Sequence, residues 1–145
     1  MHTMKRFALS LALVTLLGMS VAAVASAETV LNGSFTLPEQ TYWGNTLLPA
    51  GEYSLLVVRG ISGVNEVIVR GDGVTATIMA PAGAEDISDH SCLKVDAVNG
   101  TYVVRELDAG VLGKSYRFTM GKAVREKVMS SAAQPISVPL VAAGM

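Results

Sequence analysis

Asp89-His90-Ser91-Cys92 brings an acid, an imidazole, a hydroxyl and a thiol into four consecutive positions. In an extended segment His90 and Cys92 fall on the same side, because residues two apart share a face. Two chemistries suit such a set: a thiol activated by an imidazole as nucleophile, or a small metal site. Either needs more than these residues supply. A nucleophile pair is completed by an orienting group from elsewhere in the chain, and a metal needs further ligands. Cys92 is the only cysteine, and the only other histidine is His2. The preferred reading is a polar loop entering a strand with an incidental thiol, with no catalytic residue, metal ligand or cofactor assigned. A small metal-dependent or Cys/His enzyme centred on His90 and Cys92 is the alternative.

Other residue groupings carry less. Glu85, Asp86 and Asp89 form the one acidic cluster, but they lack the regular alternation with a central glycine that a calcium loop shows, so a solvated loop is expected. A glycosidase needs two acids facing each other across a cleft, for which a small sandwich has little room. Tyr42 and Trp43 sit together before Gly44-Asn45. Exposed, they would stack on a sugar ring; buried, they would plug the end of the fold, which is the favoured reading. An unpaired cysteine in an exported protein is either buried or open to intermolecular pairing. Cys92 lies on the parity of Lys94 and Asp96, away from Leu93 and Val95, so it is expected to be exposed unless a helix covers it, and then to form a disulfide-linked dimer.

These residues must be positioned by a chain whose first stretch reads as an export signal. Lys5 and Arg6 precede an apolar run from 7 to 24, and Ala25-Ser26-Ala27 gives a small-residue cleavage pattern. The mature chain is expected to begin at Glu28, in the periplasm or outside the cell, with no transmembrane segment after cleavage. Removing residues 1–27 leaves 9 Lys and Arg against 12 Asp and Glu, a net charge near −3, with His90 as the sole histidine. One domain of this size buries a core without staples. The lack of basic excess argues against nucleic acid as partner.

Beyond the signal, Gly and Pro cut the chain into short pieces rich in Val, Ile, Thr and Tyr, the mark of an all-β domain. Seven strands are predicted, at 30–37, 51–59, 66–70, 74–80, 92–98, 101–107 and 115–120. Gly71-Asp72-Gly73 and Asn99-Gly100 read as tight hairpin connections. Val74, Ala76, Ile78 and Ala80 alternate with Thr75, Thr77 and Met79; Leu93, Val95 and Ala97 with Lys94 and Asp96; Tyr116, Phe118 and Met120 with Arg117 and Thr119. Each such strand has one face for a core. Residues 55–58 are apolar on both parities, as in a central strand. One-sided strands need a second layer, so an antiparallel β-sandwich or flattened barrel is expected. Residues 121–131 predict a short C-terminal helix with Ala123, Val124 and Val128 on one face, and with Lys122, Arg125 and Lys127 as a solvated basic patch. The tail, 132–145, alternates Ile136, Val138 and Leu140 with Ser137 and Pro139, but Pro135 and Pro139 each remove a donor, so a loose tail is favoured over a paired strand. Donating the tail to a neighbour's sheet is the competing reading.

The run Leu48-Pro49-Ala50-Gly51-Glu52-Tyr53 before a long apolar strand, then Leu93-Lys94-Val95 through Thr101-Tyr102-Val103-Val104-Arg105-Glu106-Leu107, a glycine turn and a closing charged helix, resembles a group of small exported proteins of unknown function from environmental bacteria, Acidobacteria above all. The likeness spans residues 35 to 128. Glu106-Leu107-Asp108 stands where that group carries a tryptophan-bearing segment. The resemblance implies an exported β domain and no particular chemistry. The function expected is therefore that of a non-catalytic binding or cell-envelope module, whose partner is an envelope protein, a carbohydrate or a second copy of the chain.

Overall fold

The computed structural model of the chain describes residues 28–60, 64–81, 83–85, 88–129 and 131–143. The export signal and Asp86 of the acidic cluster lie outside them. In chain order the elements are β1 (Glu28–Leu37), β2 (Thr41–Trp43), β3 (Thr46–Leu48), β4 (Gly51–Arg59), β5 (Asn65–Gly71), β6 (Val74–Ala80), β7 (Ala84–Glu85), β8 (Cys92–Val98), β9 (Thr101–Ala109), β10 (Lys114–Arg117), α1 (Lys122–Val128), β11 (Gln134–Pro139) and β12 (Val141–Ala142). A 3-10 turn at Gly110–Leu112 joins β9 to β10. Over the described residues the protein is all-β, with two sheets and one helix, and neither sheet closes into a barrel.

The first sheet has the order β12-β1-β4-β5-β6, and the second runs β11-β8-β9-β10-β7, with β2 attached to β9 and β3 to β2. Each of the seven predicted strands is present. Five short ones were not anticipated: β2, β3 and β7 are two or three residues long, too short for a period to be read, and β11 and β12 lie in the tail. The pairing is antiparallel except where Thr41 and Tyr42 of β2 run parallel to Tyr102 and Val103 of β9. β4 lies in the middle of its sheet, as its apolar residues on both parities predict. The hairpins form where expected. Gly73 (φ 71°) closes the β5–β6 turn, and Asn99 (φ 49°) and Gly100 (φ 74°) close the β8–β9 turn, with the left-handed backbone that such connections require.

Alternation buries one face of each long strand. Leu55, Val57, Val67 and Val69 from one sheet and Leu93, Val95, Val104 and Leu107 from the other meet in the core. Four aromatic rings bridge the layers in series. Tyr53 stacks on Phe35 at 5.6 Å between centroids, Phe35 meets Trp43 edge-on at 6.1 Å, and Trp43 meets Phe118 edge-on at 5.1 Å. Tyr53, the aromatic of the Leu48–Tyr53 run, is buried and donates its hydroxyl to the Pro49 carbonyl at 2.6 Å, which ties the turn to the core. One register shift falls between Lys94 and Val95, where β9 carries an extra residue, Arg105. Beyond it simple alternation fails: Ala97 is half-buried, and Val98, on the parity of Lys94 and Asp96, is buried but outside the core cluster.

Two elements depart from expectation. α1 covers seven residues, and of its expected apolar face only Val124 is buried, while Ala123 is exposed and Val128 half-buried. The tail is not loose. β11 pairs with β8 from Gln134 opposite Ala97 to Pro139 opposite Cys92, and β12 pairs with β1 at Gly33 and Ser34. Leu140, between them, is buried and donates its N–H to the Ser91 carbonyl. The tail thus steps from the edge of one sheet to the edge of the other, seating Val138 and Leu140 in the core cluster. Pro135 and Pro139 are tolerated because β11 is an edge strand, where a missing donor faces away from the sheet.

Candidate functional site

Asp89 and His90 are exposed in the approach to β8, and Ser91 and Cys92 are half-buried. Within the loop Ser88 Oγ donates to the His90 carbonyl at 3.1 Å, and the Ser91 carbonyl accepts from the Leu140 N–H. The partner of Cys92 is not His90. Sγ donates to Asp108 Oδ2 at 3.7 Å, across the β8–β9 ladder, where residues 92 and 108 are directly opposite. Cys92 is half-buried beside the neighbouring strand β11, whose Pro139 stands opposite it. Burial raises the thiol above its ordinary value, and the charge and hydrogen bonding of Asp108 raise it further, against smaller opposing effects of Lys94 and Ser137. A thiolate nucleophile requires the opposite environment.

The pairing of β9 with β8 and β10 assembles a charged cluster that the sequence reading did not single out. Lys94 Nζ lies 2.9 Å from Asp108 Oδ2 and 3.2 Å from Glu106 Oε1, and Arg117 Nε lies 3.1 Å from Glu106 Oε2. Glu106 and Asp108 flank the core residue Leu107, so both leave the strand on the face away from the core. Asp108 is 3% exposed, and its Oδ1 is buried without a hydrogen-bond partner. Burial raises the Asp108 carboxyl, and Glu106 beside it adds to the rise, outweighing the attraction of Lys94. Glu106 ends below its ordinary value: burial pushes it up, but hydrogen bonds from Asp108, Lys94 and Arg117 prevail. Lys94, donating to both, is held well above the usual lysine range. The arrangement can hold a proton between two carboxylates, yet each formal charge is answered by a neighbour on the same face. The one sequence signal for it was Lys94 on the polar face of its strand, since the predicted strand 101–107 stops short of Asp108. The meeting of Lys94 with Glu106 and Asp108 depends on the β8–β9 register.

Cys92 and His90 line an open cleft of about 580 Å³ together with Ser91, Ser137 and Pro139. A larger open groove, about 670 Å³, runs over Phe35, Tyr53, Arg70 and Asp72. A third, about 300 Å³, lies between Thr77–Met79 of β6 and residues 118–121, with Trp43 among its lining residues. Among the described residues no three acids, cysteines or histidines are grouped to hold a metal. Glu85 and Asp89 are exposed.

The aromatic pair is split by strand parity. Trp43 is fully buried between Phe35 and Phe118, so it plugs the core as favoured, and its Nε1 has no hydrogen-bond partner. Tyr42 is half-buried on the other face of β2, with Lys127 Nζ 5.8 Å from its ring centroid. The two therefore offer no common surface to a sugar. Of the expected basic patch, Lys127 is engaged with this ring, and Arg125 donates to the Met120 carbonyl. No helix among the described residues is long and apolar enough to cross a membrane. No protein-family model, curated protein or solved structure matches the chain.

Proposed function

We propose that this chain is an exported, non-catalytic β-sandwich of the LPAGEY-bearing kind it resembles, working in the periplasm or outside the cell as a binding or structural module of the envelope. The observation that carries the reading is the partner of Cys92. The only thiol faces a carboxylate that discourages its ionisation, while the His90 side chain stands exposed in its own loop. The remaining charged groups near it neutralise one another through Lys94, Glu106, Asp108 and Arg117. Separation of Tyr42 from Trp43 favours an envelope protein over a carbohydrate as partner. The apolar run before Ala25-Ser26-Ala27 supports export.

Fractionation of cells producing the full chain, with mass spectrometry and elemental analysis of the product, tests this. The expected product is periplasmic or external, begins at Glu28 and carries no stoichiometric metal. Cytoplasmic material with an intact start overturns the export half. Stoichiometric metal, or a Cys92 that outpaces free cysteine in alkylation at neutral pH, overturns the non-catalytic half in favour of the His90 and Cys92 alternative.

A further inference from the structure

Sheet edges expose unpaired backbone groups, and native proteins blunt them with prolines, charges, bulges or brevity. Four of the edges among the described residues follow that rule. β11 carries Pro135 and Pro139, β3 is three residues long, and β7 and β12 are two residues each. The fifth, β6, does not. It runs seven residues, Val-Thr-Ala-Thr-Ile-Met-Ala, with no charge and no proline, and among the described residues nothing pairs with its outer side.

Hairpin geometry identifies the groups left open. The two-residue turn Asp72-Gly73 makes Gly71 and Val74 the first hydrogen-bonded pair, and such pairs then recur at every second residue. Val74, Ala76, Ile78 and Ala80 therefore bond to β5, while the N–H and C=O groups of Thr75, Thr77 and Met79 point away from the sheet. We propose that this edge pairs antiparallel with β6 of a second copy, about a two-fold axis through Thr77.

That register is self-complementary at every position. Thr77 meets its own counterpart, and Thr75 meets Met79, so all three outward residues on each copy gain both backbone bonds. On the outer face the exposed Met79 lies beside the short Thr75 of the partner. On the inner face the half-buried Ile78 lies beside Ala76. No like charges oppose one another, which a two-fold axis would force on any charged residue at position 77. The neutral groove between Thr77–Met79 and residues 118–121 then lies along the junction. The contact is isologous and closes on itself, because each copy has one such edge, so the product is a dimer and not a fibre. The inference holds independently of where the protein works and of whether it is catalytic.

The test uses the chain from Glu28 to Met145, which contains both sheets, in sedimentation over a dilution series with amide exchange measured at both ends of it. The expected result is a dimer that dissociates on dilution, with slowed exchange at Thr75, Thr77 and Met79 only in the concentrated sample. Thr77→Lys places two ammonium groups face to face at an exposed position, so it is expected to abolish the dimer with circular dichroism and thermal midpoint unchanged. The double variant Thr75→Glu with Met79→Lys sets opposite charges across the same axis and is expected to stay dimeric. A monomer at all concentrations, including one whose β6 amides are protected only by an added peptide strand, overturns the proposal. So does a dimer that Thr77→Lys leaves intact.

Discussion

Lys94 and Asp108, on adjacent strands, meet with Nζ 2.9 Å from Oδ2, and the carboxylate end of the pair is 3% exposed while the lysine side chain is 46% exposed. The lysine makes a buried charge tolerable. Lys94→Met is therefore expected to destabilise the fold by about 1–3 kcal/mol at pH 7, less than a fully buried pair would show because water reaches the lysine end. The deficit relative to the parent protein should shrink on acidification, as Asp108 takes up a proton and no longer needs a counter-charge. Urea unfolding at pH 7 and pH 4 measures both values, and a deficit that grows in acid contradicts this account.

The two carboxylates pull stability in opposite directions with pH. Glu106, held below its ordinary value, contributes stability that is present above the unfolded-state value and is lost as pH falls through the folded one. Asp108, held above its ordinary value, is protonated in the folded chain at a pH where the unfolded chain has already lost its proton, so it weakens the fold as pH rises through that window. Asp108→Asn is accordingly expected to compare better with the parent protein at pH 7 than at pH 4. Glu106→Gln is expected to compare worse at pH 7 than at pH 4. Paired thermal melts at the two pH values distinguish these slopes.

At the alkaline end Lys94 sets the sign. Its raised value means that its stabilisation is complete below the unfolded lysine value of about 10.4 and declines as pH rises beyond it. Buried Tyr53 and Tyr116, also raised, weaken the fold in the same range, because only the unfolded chain ionises them readily. Lys94→Met should therefore reduce the alkaline loss without removing it, as pH-jump unfolding can record.

The thiol of Cys92 should be sluggish. Alkylation at pH 8 is expected to be slower than for free cysteine, and Asp108→Asn should speed it by removing the charge that opposes ionisation. Disulfide-linked dimers on non-reducing gels are expected to be minor, since Cys92 is half-buried beside β11. Rapid, quantitative cross-linking of the folded protein would contradict the observed placement.

Gly71 stands opposite Tyr53 in the β4–β5 ladder, and a Cβ there would overlap the tyrosine ring. The ring cannot swing away freely, because its hydroxyl is bound to Pro49 and its face stacks on Phe35. Gly71→Ala is expected to cost about 1–3 kcal/mol by overpacking. Chemical denaturation checks this, and a neutral result would show that the ring can move.

The tail is expected to be integral. Leu140→Ala should destabilise by about 2–3 kcal/mol, the lower part of the range for buried leucine, because the site lies at the margin of the core. Deleting residues 132–145 should lower the thermal midpoint and leave any β6-mediated dimerisation in place. A truncated protein of unchanged stability would mean that β11 and β12 contribute nothing to either sheet.

Local period told the long strands apart from their turns, because a half-buried strand must alternate and Asn99-Gly100 or Asp72-Gly73 must turn. β4 and β6 were legible in this way to within a residue. β2 and β3 were not, since three residues hold no period, and their place follows from where Trp43 finds the space between Phe35 and Phe118. The tail misled because Pro135 and Pro139 argue against a strand in general but not against an edge strand, and whether a strand lies at an edge is a property of the assembled sheet.

The charged cluster shows the same divide. Composition and order along the chain determined an all-β domain, an export-type start, one thiol, and Lys94 on the polar side of its strand. Tertiary structure alone decided that Lys94 faces Glu106 and Asp108, that Cys92 meets Asp108 and not His90, and that β6 is left as the long unblocked edge. Alternation is a local consequence of backbone geometry, whereas register and strand order are chosen by how the buried faces fit against each other, and that fit joins residues far apart in the chain.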